Sequence, residues 1–316
     1  MKKIVVIGGG SGIFNVLKGL KNYPVEITSI VTAFDNGGST GILRDEFGTL
    51  PQGDIRRSLV ALAPESENST LRDLLNFRFP KESSLKGHSF GNLFLQALTS
   101  ISGSEVGAIK MAADILNIKH KILPVSTDDA TLCAKLSNGK IIKGETNIDI
   151  PQHDGSIKIK KIYLEPDANI YSDSYKAIVS ANLIIIGPGD LYTSILPNTL
   201  VKGFSKAIKN SKAKKTYILN LMTKWGETND FKASDFVKTL ISHLGIKKLD
   251  YVLINNSPIK PSLVKKYKGE KATPIEIDKE NLKKYTNKII EEDLALQAEI
   301  VRHDAKKISR AIMKLV

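Results

Sequence analysis

Four short stretches of this sequence join glycine to carboxylate, hydroxyl or amide side chains, and each follows an apolar run. The first is Gly8-Gly9-Gly10-Ser11-Gly12, between Ile4-Val5-Val6-Ile7 and a helix-like segment. Glycine admits positive φ and lets main-chain N–H groups close on an anion, and a helix N-terminus adds its dipole. Ile13 stands at the third glycine position of G-x-G-x-x-G and no Walker lysine follows. This loop therefore reads either as a phosphate cradle or as a tight strand-to-helix turn. The second stretch, Asp35-Asn36-Gly37-Gly38-Ser39-Thr40-Gly41, opens where a dinucleotide-binding fold places the acid that holds a ribose hydroxyl. Ribose readout alone needs no second glycine nest. Two nests at one sheet edge suit a ligand with two separated anionic or hydroxylated parts. They also leave Asp35 to touch a sugar or to hold Mg²⁺ between phosphates. Asp54, in Leu50-Pro51-Gln52-Gly53-Asp54, is either a helix N-cap or a second carboxylate of the same site. In the third stretch, Gly187 to Ser194, the Thr193 and Ser194 hydroxyls and the N–H groups near Gly187 and Gly189 could complete an anion cradle. The fourth places Asn220 and Thr223 at a strand's carboxyl end, where open α/β sheets bind ligands. Taken together, four such loops point to a nucleotide-type ligand.

Other chemistry is weaker. Gly87-His88-Ser89-Phe90-Gly91 matches the G-x-S-x-G nucleophile elbow, but that elbow needs a buried strand before it. Pro80 to Lys86 cannot be one, so a Ser89 hydrolase is set aside. His88, Ser89 and Asn92 read instead as polar contacts at the start of the helix 91–101. His120, His153 and His243 have no metal-ligand spacing and read as surface residues. Five of the seven arginines (Arg44, Arg56, Arg57, Arg72 and Arg78) fall between positions 44 and 78 of an otherwise lysine-rich chain. Their clustering suits either bidentate recognition of phosphate or carboxylate, or ion pairs within a helical hairpin.

These loops must be held by a sheet. Strands are expected at Ile4–Ile7, Ile27–Val31, Leu183–Ile186, Thr216–Leu221, Tyr251–Asn255 and Pro274–Ile277, apolar on both faces as buried parallel strands are. Helix-like patterns fill the intervals: 13–20, 71–77, 91–101, 105–116, 199–209, 234–244 and 304–315, with Ser234 and Asp304 as N-caps. The alternation means an α/β, Rossmann-like three-layer αβα fold with a mostly parallel sheet. Residues 121–165 break the rhythm: they read as strands without helices, with a hairpin signal at Ser137-Asn138-Gly139-Lys140. We expect a single domain over 1–316 carrying this β-rich insertion.

Composition narrows the classes. The chain's 41% hydrophobic and 25% charged content is that of a globular protein and excludes a disordered one. Cys133 is the only cysteine, which excludes an intramolecular disulfide framework and a cysteine zinc cluster. The apolar run after Met1-Lys2-Lys3 is too short for a signal-peptide core, and the expected location is cytoplasmic. A formal charge of +13 invites a nucleic-acid reading. The excess is lysine spread along helices, without the interleaved aromatics that single-strand binding needs, so no nucleic-acid partner is expected. Homodimerisation is expected only from general frequency.

The order of the motifs GGGSG, DNGGSTGILRDEFG, LPQGDIRRSLVALA, LNFRF, GHSFGNL, GPGDLYTSILPN, NLMTKWGET and VRHD resembles the YvcK-type gluconeogenesis factor family over nearly the whole chain. That family is a sister of the 2-phospho-L-lactate transferases of deazaflavin cofactor synthesis. The resemblance implies a Rossmann-like fold and binding of a UDP-activated sugar such as UDP-N-acetylglucosamine. It also implies a link to carbon metabolism, cell shape and the envelope, without an established reaction. It implies that Gly8 to Gly12, Asp35, Gly37 to Gly41 and Gly187 to Ser194, with Tyr192 among them, line the pocket. Asn220 would lie near the nucleotide, Tyr267 would stack on the base and Arg302 would contact phosphate. The sister branch implies an alternative, a Mg²⁺-dependent transfer of a phospholactyl-type group to a deazaflavin acceptor, with Asp35 and Asp54 holding the ion. Ser11, Asn36 and Asp190 stand where the family often has Thr, Asp and Ser. Asn36 removes one carboxylate of a frequent pair and favours binding over catalysis.

Overall fold

The Val- and Ile-rich runs assemble into one seven-stranded sheet. In chain order its strands are β1 (Lys2–Gly8), β2 (Val25–Val31), β3 (Lys121–Pro124), β4 (Leu183–Ile186), β5 (Lys214–Ile218), β6 (Leu249–Asn255) and β7 (Thr286–Glu292). Their spatial order is β3-β2-β1-β4-β5-β6-β7, and every pairing is parallel. The computed structural model describes residues 1–47, 50–65 and 69–316; Gly48 of the second motif and the Arg44 side chain lie outside the described residues.

Alternation along each strand divides the core in two. Val5 and Ile7 face one hydrophobic cluster, Ile4 and Val6 the other. On the second side lie α1 (Gly10–Leu20), α3 (Gln52–Leu62) and the C-terminal helix Ala305–Met313; on the first lie Phe204–Asn210 and Ala233–Leu244. This is the expected three-layer αβα architecture. Between α1 and α3 in the chain is α2 (Gly38–Phe47), and α4 (Ser69–Asn76), α5 (Phe90–Ser102) and α6 (Glu105–Ile115) follow.

Several local expectations are corrected. Pro274–Ile277 is no sheet strand: Pro274 makes only an isolated bridge to Met222, and the edge position belongs to β7. The sequence of β7, Thr-Asn-Lys-Ile-Ile-Glu-Glu, is too polar to read as a buried strand because it is an edge. The helix expected over 199–209 is broken at Gly203, whose φ is +94°. Lys232, not Ser234, caps Ala233–Leu244; the Ser234 hydroxyl donates to Asp278 Oδ2 at 2.5 Å. Asp304 does cap the last helix, accepting from the N–H groups of Lys306 and Lys307.

Lys121–Pro124 joins the main sheet, and the antiparallel strands beyond it are Thr131–Leu136, Ile141–Lys143 and Ile159–Glu165. The first two are joined through Gly139 at φ +89°, as the Asn-Gly signal demands. A short helix, α7 (Glu145–Asp149), interrupts this β-rich stretch and proves central to the site. Among the described residues no helix is long and apolar enough to cross a membrane.

Candidate functional site

Because every main strand runs the same way, the loops after β1, β2, β4 and β5 open at one sheet edge, where the strand order reverses between β1 and β4. They enclose a groove with two lobes. The larger, about 690 Å³, is walled by Gly9 to Gly12, Gly189, Asn220, Leu221, Met222, Trp225, Tyr267 and Arg302. The smaller, 430 Å³, is walled by Asp35, Gly37 to Thr40, Asp54, Asn92, Glu145 and three arginines, Arg56, Arg57 and Arg78. Gly10, Ser11, Asp149, Ile150, Asp190 and Ser194 belong to both walls and mark the junction.

The junction is built by close backbone approach. Gly9 caps α1, so the N–H groups of Gly9 to Gly12 have no acceptor within that helix. One is already satisfied: Gly10 N–H donates to Asp54 Oδ1 at 2.8 Å. Asp54 is thus not the N-cap of α3, a place taken by Pro51, but a carboxylate reaching from the first turn of α3 into the first glycine loop. A Cβ on Gly9 would stand 2.4 Å from Asp54 Oδ2, so only glycine permits the approach. Ser11 and Gly12 are both on the groove wall, within this first turn of α1.

Several proposed residues stand behind the walls, where they hold the loops. Gly8 carbonyl accepts from Thr32, and Gly187 N–H, expected to face a ligand, donates to Ile7. Asn36 Oδ1 accepts from Thr146 N–H at the start of α7. His88 Nδ1 meets Ser39 Oγ at 3.2 Å; Asn92, itself on the wall of the smaller lobe, also holds the loop, its Nδ2 donating to Ser39 and Thr40. The Tyr192 ring is buried against Phe231. Ser89 Oγ caps α5 through Asn92 N–H, which accounts for the buried serine of the elbow-like motif. His120, His153 and His243 are half-buried rather than exposed. Arg72 lies away from both lobes, so of the four clustered arginines with described side chains three reach the groove, Arg56, Arg57 and Arg78.

Charge is concentrated in the small lobe. Burial raises Asp35 despite the Gly37 N–H on its Oδ1, and burial raises Asp54 against the pull of Arg57, which pairs with it at 2.9 Å. Burial, with Asp35 and Asp149 close by, pushes Glu145 up to about 9, and Glu145 shares a hydrogen bond with Asp35. On the opposite side, burial and then neighbouring Arg57 and Arg78 pull Arg56 down to about 10. Arg56 is nevertheless spent structurally, on Asn92, Asn76 and the Leu75 carbonyl. At the junction Lys224 contacts Asp149, Asp190 and Glu227. Asn220 Nδ2 donates to the Gly189 carbonyl at 2.8 Å, while its Oδ1 is buried without a partner. Tyr267 Oη is tied to Val301 N–H at 3.1 Å.

Glu145, Asp149, Lys224 and Glu227 were not singled out from the sequence. Glu145 and Asp149 are four apart, one face of a helical turn, but the five-residue helix that carries them lies in a segment patterned as strands.

The sequence profile of the family described as 2-phospho-L-lactate transferase CofD matches residues 4–295. The chain belongs to that family. It is 44% identical over 316 residues to a putative gluconeogenesis factor of Thermoanaerobacterium thermosulfurigenes, covering 99% of this chain and 97% of that one. It is 39% identical to the gluconeogenesis factor of Bacillus subtilis, covering 99% and 98%. A crystal structure of a UPF0052 family member from Bacillus halodurans superposes with a TM-score of 0.93 at 40% identity, covering 99% and 100%.

In this CofD-family groove the carboxylates of Asp35, Asp54 and Glu145 are all raised by burial, and the charge on Asp35 and Asp54 pushes Glu145 further up. The consequence for stability has a definite sign. Unfolded, Glu145 releases its proton near 4.5; folded, it holds it to about 9. Its contribution is full below the unfolded value and is lost as pH rises through the folded one. Glu145→Gln should therefore gain Tm relative to the parent between pH 5 and 9. Equal pH slopes for the two proteins would contradict the assignment.

Proposed function

We propose that this protein binds a nucleotide-activated sugar of the UDP-N-acetylglucosamine type and acts as a regulatory protein linking carbon metabolism to cell shape and envelope synthesis. The observation that carries the reading is the two-lobed groove joined by the glycine-bearing loops. The larger lobe offers a nucleoside aromatic and apolar surfaces: Trp225, Tyr267, Leu221 and Met222. The junction offers a diphosphate the N-terminus of α1. The smaller lobe offers hydroxyls, amides and carboxylates suited to a sugar, with Ile150 its one apolar wall residue. The names of the relatives support the link to carbon metabolism.

Trp225, the only tryptophan, sits in the larger lobe, so its emission should shift on titration with a UDP-sugar, together with a rise in Tm. Neither change at millimolar ligand would sink the reading. Arg302→Ala should weaken binding by about 1.5–3 kcal/mol, the range for a hydrogen bond to a charged group.

The carboxylates of the smaller lobe favour a second reading, the transferase chemistry of the family's description. Asp35 and Asp54 would hold Mg²⁺, which would supply charge stabilisation at the transferred phosphate, while Arg57 and Arg78 oriented its oxygens. Supplying nucleotide-activated phospholactate with a deazaflavin acceptor should then release nucleoside monophosphate only when Mg²⁺ is present. An absence of turnover removes this reading.

A further inference from the structure

We infer that Lys224 is the built-in counter-charge of the lobe junction, the residue that lets an anionic diphosphate cross between the lobes without a divalent cation at that point. The inference rests on the nucleotide-sugar reading for its ligand and on four residues for its geometry. Asp149, Asp190 and Glu227 come from three separate segments: α7, the loop after β4 and the loop after β5. One ligand-type oxygen from each lies within 4.8 Å of the others, a spacing that a divalent cation would accept. The position belongs to a lysine instead. Lys224 Nζ contacts Asp149, stands 2.7 Å from Asp190 Oδ2 and lies 3.4 Å from Glu227 Oε1. Burial alone would pull the ammonium down, but Glu227, Asp190 and Asp149 together hold it above its ordinary value, so it stays charged.

The arrangement is more than a structural ion pair because of where the partners stand. Asp149 and Asp190 belong to the walls of both lobes, beside Ser11 and Ser194, so any diphosphate gripped by the first glycine loop meets their charge. Lys224 is itself on the wall of the larger lobe, with 28% of its side chain exposed. With the ammonium present, the junction carries one positive charge against its acids. Without it, the side-chain charge at the junction would be wholly negative, leaving only the N-terminus of α1 to oppose it.

Lys224→Gln keeps a donor, on a side chain one bond shorter, and removes the charge. It should bind a UDP-sugar in EDTA about tenfold or more weakly than the parent, the change expected for losing a charged hydrogen bond. Mn²⁺ should restore the affinity beyond its effect on the parent, and titration followed by electron paramagnetic resonance should count one more bound Mn²⁺ than the parent holds. Lys224→Gln combined with Asp190→Asn should recover binding in EDTA, and Lys224→Arg should keep it, which also shows that changes here leave the fold intact. Parental affinity of Lys224→Gln in EDTA would overturn the inference. So would a loss that neither Mn²⁺ nor the double substitution relieves, which is the result of a merely structural pair. If the parent itself fails to bind UDP-sugars, the functional reading falls, while the extra Mn²⁺ still decides the role of Lys224: its appearance supports the counter-charge, its absence refutes it.

Discussion

Gly12→Ala should lower Tm by roughly 3 °C and abolish the emission change of Trp225 with UDP-sugar, at a helical position where alanine is ordinarily the better residue. Helix propensity favours the substitution by about 1 kcal/mol. Packing opposes it more strongly. A Cβ on Gly12 would stand 2.0 Å from the carbonyl oxygen of Pro188, 2.5 Å from its carbonyl carbon and 3.0 Å from Gly189 Cα. These are backbone atoms, which cannot swing aside as a flexible side chain would. The loops after β1 and β4 would have to part, and overpacking of that kind costs about 1–3 kcal/mol, occasionally more. For a chain of 316 residues each kcal/mol moves Tm by about 1.5 °C. Gly269→Ala is the control, since its Cβ would meet nothing within 4 Å. Thermal melts of the three proteins check the prediction; a Gly12→Ala protein as stable as the Gly269→Ala protein would refute it.

Glu227→Ala should be the most damaging change to a polar side chain. Its carboxylate is fully buried and accepts from Tyr192 N–H at 2.9 Å and from Thr193 Oγ1 at 3.0 Å, with Lys224 close by. Burial drives its pKa up and Lys224 draws it back, leaving it at about 7. Removing it strands a main-chain donor at the π-helical turn Leu191–Ile195 and leaves Lys224 with one acid fewer. Breaking a buried pair from one side costs about 3–5 kcal/mol, which corresponds to a fall in Tm of roughly 5–8 °C. Glu227→Gln keeps one oxygen for these donors and should lose about half as much. Denaturant melts of both variants measure the difference, and near-equal losses would show that shape rather than acceptance holds the turn.

Much of the sheet was legible because a parallel strand buried on both faces must be continuously apolar. Ile4-Val5-Val6-Ile7 and Leu183-Ile184-Ile185-Ile186 satisfy that rule and are strands. The edge strands escaped it. β7 carries Lys and Glu because one of its sides meets solvent, while Pro274–Ile277 is apolar for packing and not for pairing. Glycine loops showed where the chain turns at the ligand-binding edge, since their composition has a local cause in φ and close approach.

What the sequence alone determined was therefore periodic or local: the αβα layering, the glycine turns after β1, β2 and β4, and the Asp304 cap. Tertiary structure alone decided that Asp54 serves the first glycine loop, that α7 brings Glu145 and Asp149 over the groove, and that Lys224 holds three acids together. Those contacts join residues 44, 75 and 34 positions apart. No periodicity links positions so distant; only the folding of the sheet brings them within reach.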